Sequence, residues 1–117
     1  MYIMIKLIKS FGWAMNGLRT VWREELNFRI EVAIALVVVG VGVYLNFTKL
    51  EWAFIIVSIC AVLSAEMVNT AIEDLCNKIE PNTDPIIGKI KDMMGGVVLL
   101  VCVTSVIIGV MVISNHF

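Results

Sequence analysis

Glu66, Asn69, Thr70, Glu73 and Asn77 are the residues of this sequence best placed to do chemistry. The last four stand three, four, seven and eleven residues after Glu66, so on a helix all five share one face. They follow Trp52–Ala65, a run without charge and mostly apolar. A carboxylate inside a membrane-crossing helix costs about 2.5–3.5 kcal/mol even on lenient scales, so a group kept there serves chemistry or ion movement. Glu66 resists reading as a paired surface charge. The preceding run sets it in the apolar zone, and no cation lies within a turn of it. At about 1.5 Å per residue, Glu73 lies about 10 Å further along the axis. One acid near lipid headgroups and another near water suit a reaction that joins a lipid hydroxyl to a water-soluble donor.

The elements that must hold these groups are all helices. The chain has 117 residues and is 60% hydrophobic, too apolar for an ordinary soluble domain, and reads as one membrane domain. Residues from about 4 to 23 predict an amphipathic helix lying on the bilayer. Met4, Leu7, Ile8, Phe11, Met15, Leu18 and Trp22 form its apolar stripe, and Lys6, Lys9, Asn16, Arg19 and Arg23 lie off it. Three spans are expected at about 27–45, 49–79 and 89–114, the second long enough to leave the bilayer at its far end. Pro81 and Pro85 predict a loop over residues 80–88.

Charge placement gives an orientation. Of the nine Lys and Arg residues, Lys49 alone lies in the Asn46–Glu51 connection, and none follows Lys91. The positive-inside rule therefore sets the N-terminal segment and residues 78–91 in the cytoplasm, with the 46–51 turn and the C-terminus outside. Glu24, Glu25, Glu66, Asn69, Glu73, Asp74, Lys91 and Asp92 then gather at the inner membrane face. Glu24, Asp74, Glu80 and Asp84 are expected to be paired surface charges there. Cys60, Cys76 and Cys102 lack metal or disulfide spacing and read as buried thiols. The first segment has no cleavable signal pattern. Gly12 and Gly17 have the spacing of a phosphate-binding loop, but Leu18-Arg19 follow where Lys and Ser/Thr are required. The lone His116 falls at the opposite face from the acids, which leaves no hydrolase triad.

The segment Glu66-Met67-Val68-Asn69-Thr70-Ala71-Ile72-Glu73 and the downstream pair Lys91-Asp92 resemble the prokaryotic diacylglycerol kinase family, which includes the undecaprenol kinases. Gly17-Leu18-Arg19, Trp22, Glu25 and Phe28-Arg29 extend the likeness over nearly the whole chain. The resemblance implies a multi-pass protein of the bacterial inner (plasma) membrane, working as a homotrimer with sites composed between subunits. Its partners would be a membrane lipid alcohol, ATP and the bilayer, with no nucleic acid. The implied reaction moves the ATP γ-phosphoryl group to a lipid hydroxyl, with Mg²⁺ as cofactor. Glu66 matches the catalytic base, and Glu25 and Glu73 match the metal-binding acids. ATP contacts are implied at Trp13, Glu25, Asn69, Glu73, Lys91 and Asp92, and lipid contacts at Arg19, Trp22, Phe28, Arg29 and Glu66. The sequence departs from the family at Asn77, where many relatives carry Asp, and at Asn82-Thr83-Asp84, which lacks their common His.

The family name points to diacylglycerol, giving phosphatidic acid, with undecaprenol, giving its phosphate, as the alternative, and the polar site residues do not separate them. Glu51-Trp52 and Asn27-Phe28-Arg29-Ile30 look like undecaprenol kinases, and Glu31 looks like diacylglycerol kinases. Two other classes compete. A small proton-coupled transporter would need polar groups along the outer half of the second span, where only Ser58 and Ser64 occur. A non-catalytic assembly subunit would be indifferent to the loss of the Glu66 charge.

Overall fold

A computed structural model describes residues 1–117 as four helices and no strands. The first helix, α1 (Tyr2–Glu24), has only Val21 buried. Met4, Leu7, Ile8 and Phe11 on its apolar stripe are exposed, so nothing within the chain covers that face. A bilayer interface would. Glu25 is the single non-helical residue before α2 (Leu26–Leu45), with extended backbone at φ −112°, ψ 108°. Arg29 braces this joint. Its Nη1 donates to the carbonyl oxygens of Trp22 (2.6 Å) and Arg23 (3.0 Å), which the end of α1 leaves unpaired.

The third helix, α3 (Lys49–Ile79), is 31 residues long, or about 46 Å at helical rise, against about 30 Å for the hydrocarbon layer. The fourth, α4 (Pro85–Ser114), starts earlier than the sequence predicts, at Pro85 instead of near Lys89. Proline suits the first position of a helix, where no amide hydrogen is needed. Asp84 caps α4, accepting from the amides of Ile86 (2.9 Å) and Ile87 (3.1 Å). The connecting loop is therefore residues 80–84. Asp84 is a cap and Glu80 accepts from the Asn82 amide (3.1 Å). Neither they nor Glu24 or Asp74 belong to an ion pair, contrary to the expectation of paired surface charges.

All three of α2, α3 and α4 are long and apolar enough to cross a membrane. The chain is an all-α membrane protein. Packing between α3 and α4 is the most extensive, with α2 lying more lightly on α3. Only 10 of the 117 residues are buried, so the spans do not enclose a core by themselves. Cys60 is exposed and Cys102 half-exposed, and of the three expected buried thiols only Cys76 is buried. Gly95 and Gly96 meet open space, not a neighbouring helix of the same chain.

The end bearing the α2–α3 turn is held by one cluster. Asn46, in the left-handed region (φ 58°), closes α2. Thr48 and Glu51 then cap α3 reciprocally, the Thr48 amide donating to Glu51 (2.9 Å) and the Glu51 amide to Thr48 Oγ1 (3.2 Å). His116 Nε2 lies 3.0 Å and 3.1 Å from the two Glu51 carboxylate oxygens, the only ion-pair contact in the chain. The Phe47 ring is buried edge-on to Trp52 and 5.3 Å from the imidazole. Gly42 lies beneath both rings. A Cβ there would come within 2.6 Å of Trp52 and 2.7 Å of Phe47. Gly42→Ala is therefore expected to destabilise the protein by about 1–3 kcal/mol, the usual cost of overpacking, read as a lower Tm in detergent beside Gly40→Ala, whose site is open.

Candidate functional site

The polar stripe of α3 faces inward, and its exposure rises along the helix. Glu66 is 4% and Thr70 6% exposed, Asn69 and Glu73 are half-buried, and Asn77 is exposed. An apolar helix turned the other way would set Glu66 in lipid, at the cost stated above. Instead its carboxyl lies near that of Glu31 on α2, with Glu25 and Glu73 as further acidic neighbours. Acids from α2, α3 and the α1–α2 joint therefore converge. No three His, Cys, Asp or Glu side chains gather closely enough to hold a metal ion alone.

Glu31 is the member that the sequence reading left out of the site. It is an acid within an apolar helix, the same signal that singled out Glu66. Arg29, two residues before it, turns its guanidinium back to the α1 carbonyls. Glu31 Oε2 and Thr70 Oγ1 are buried without any partner. Orphaned polar atoms cost about 1–3 kcal/mol each and are kept where a ligand or water serves them.

Two clefts flank α2. One, of about 570 Å³, runs between α2, α3 and α4. Glu31 and Asn27 lie toward one end, and an apolar wall continues past Val38 and Ile59 to Ile113. From Cys102 to Ile113 it follows α4 for about 16 Å. Ser58 Oγ, buried and unpartnered, and Ser105 are among its polar lining groups. The other cleft, of about 640 Å³, lies where α1 meets α2 and is lined by Asn16, Arg19, Trp22, Arg23 and Phe28 among others. The structure thus gathers Arg19, Trp22 and Phe28 around one opening, while Arg29 serves the joint. Glu66 lines neither cleft; it sits behind Glu31.

At the aqueous end, Lys91 on α4 donates from Nζ to Asn77 Oδ1 across 2.7 Å. Asp92, its neighbour, is exposed and makes no ion pair. Trp13 is 66% exposed on α1. The arrangement is graded: a buried acid at the head of an apolar cleft, then Thr70 and Asn69, then Glu73, then a cation at the water. A proton acceptor and an anion-binding group are thereby held on one line that runs from lipid to solvent.

Known proteins match over most of this chain. The prokaryotic diacylglycerol kinase family matches residues 12–113. The diacylglycerol kinase of Escherichia coli (strain K12) is 30% identical over 112 residues, covering 96% of this chain and 92% of the relative. The undecaprenol kinase of Bacillus subtilis (strain 168) is 33% identical over 107 residues, covering 92% and 87%. A diacylglycerol kinase of Helicobacter pylori (strain J99) is 30% identical over 95 residues, covering 81% and 74%. With the match spanning most of its length and all three apolar helices, this chain belongs to the prokaryotic diacylglycerol kinase family, the membrane-embedded lipid kinases.

Proposed function

We propose that this protein transfers the γ-phosphoryl group of ATP to the primary hydroxyl of diacylglycerol, giving ADP and phosphatidic acid. The observation that carries the kinase reading is the burial of Glu66 close to Glu31, which lines one end of an apolar cleft; the choice of diacylglycerol follows the names of the Escherichia coli and Helicobacter pylori relatives. The acyl chains lie along the cleft and the hydroxyl reaches the acids. Glu66 accepts the hydroxyl proton, and the freed oxygen attacks the γ-phosphorus. The bond from that phosphorus to the β–γ bridging oxygen breaks, and ADP leaves toward water. Glu31 orients the Glu66 carboxyl. Thr70 and Asn69 line the path from base to phosphate. Lys91 and Asp92 face the nucleotide, with Lys91 offsetting phosphate charge.

Glu25 and Glu73, the acidic neighbours of Glu66 from the α1–α2 joint and from α3, would hold Mg²⁺, a hard ion that takes carboxylate oxygens together with phosphate oxygens and water. When bound, Mg²⁺ supplies charge neutralisation on the phosphates. Arg19, Trp22 and Phe28, around the interfacial cleft, guide the lipid headgroup. Trp13 stays near the interface, where it can meet the adenine. The basic residues of α1 and of residues 78–91 support an orientation with this end in the cytoplasm of the inner membrane. Gly95 and Gly96, which meet open space within the chain, leave room for close approach of another copy, and this supports assembly as a homotrimer with sites shared between copies.

The test is phosphoryl transfer from radiolabelled ATP to diacylglycerol and to undecaprenol in one lipid background. Diacylglycerol is expected to give the higher kcat/KM. A preference for undecaprenol, as the name of the Bacillus subtilis relative suggests, would change the substrate. Transfer to neither would end the kinase reading.

A further inference from the structure

We propose that Asn77 is the positioning residue of the phosphate-binding lysine, holding Lys91 by a neutral acceptor. The inference rests on the kinase reading of Lys91 above.

Three observations converge on it. The Lys91 ammonium donates to Asn77 Oδ1 at 2.7 Å, the only side-chain hydrogen bond that joins α3 to α4 at this end of the molecule. No carboxylate lies within ion-pair distance of it, although Asp74 and Asp92 are close in sequence and Glu73 is one turn before Asn77. The two partners stand 14 residues apart, on either side of a loop whose far end is fixed by the Asp84 cap. Asn77 therefore sets where the ammonium rests relative to Glu73, about 6 Å along the same helix face.

The chemistry follows from the donor count. An ammonium has three N–H groups and no fixed orientation on its flexible stem. Asn77 takes one and leaves two for phosphate oxygens. An amide carries no charge, so the lysine keeps its full attraction for an anion. Without the anchor, the stem would have to be ordered by the nucleotide itself, and that entropy would be charged against ATP binding. The loss should fall on KM for ATP, with the chemical step and the lipid site spared.

The experiment is steady-state kinetics of the full-length protein in lipid nanodiscs, with MgATP and lipid varied separately and Tm measured alongside. Asn77→Leu, close in size but without an acceptor, is expected to raise KM for MgATP about 5- to 20-fold, the loss of one hydrogen bond at an exposed site. Its kcat, lipid KM and Tm should stay within about twofold and a few degrees. Asn77→Asp, which keeps an acceptor at the same reach, should return KM to within about threefold of the parent. In a Lys91→Ala background, Asn77→Leu should have no further effect, since the two act as one unit. An unchanged KM in Asn77→Leu, with Lys91→Ala impaired, would overturn the inference alone. Additive losses in the double variant would do the same, by assigning Asn77 a separate structural role. A Lys91→Ala enzyme with normal KM and kcat would instead remove the reading of Lys91 beneath it.

Discussion

Glu66→Gln is expected to lower kcat for lipid phosphorylation by about 10²- to 10⁴-fold, the range for loss of a positioned general base. Glutamine keeps the size and hydrogen-bonding reach of the side chain but cannot take the proton. KM for MgATP should hardly move, because Glu66 sits about 10 Å from Glu73 and further still from Lys91. The folded protein should not suffer either. A buried carboxyl near Glu31 is replaced by a neutral amide. The measurement is single-turnover transfer with ATP prebound, together with Tm. A variant with parental kcat would mean that some other group strips the proton, and the buried acid would then need a different purpose.

The second large effect is expected at Glu73. Glu73→Gln should raise the Mg²⁺ concentration needed for half-maximal activity by at least about 10-fold, because one of only two protein carboxylates would be lost from the ion. Excess Mg²⁺ should recover part of the rate, a response that separates a ligand from a base. Under the same titration Glu66→Gln should show lowered activity at every Mg²⁺ concentration, without recovery. An unshifted Mg²⁺ curve in Glu73→Gln would remove the residue from the metal. Glu25→Gln should resemble Glu73→Gln, since both acids serve the same ion in this reading.

Local pattern made much of this molecule legible. The spacing of Glu66, Asn69, Thr70, Glu73 and Asn77 is helical, and the observed α3 carries them on an inward face whose burial fades toward water. Apolar length alone is enough to mark the helices that can cross a bilayer. Local pattern failed where one residue type has two uses. A proline stops a helix or starts one, and Pro85 starts α4 because Asp84 is placed to cap it. Arg29, expected at the lipid headgroup, also reaches back along the chain to the α1 carbonyls. The Lys91–Asn77 and His116–Glu51 contacts span 14 and 65 residues. Such pairs depend on how helices lean together, which no periodicity encodes. The clefts beside α2 are also tertiary, since their walls come from three helices or from a corner between two.

Glu25 is the sole non-helical residue between α1 and α2, with Arg29 as a strut across the bend. If α1 lies on the bilayer as proposed, the lipid that seats α1 against α2 also sets the depth of this acid, and a thinner bilayer would shift its carboxylate relative to Glu73.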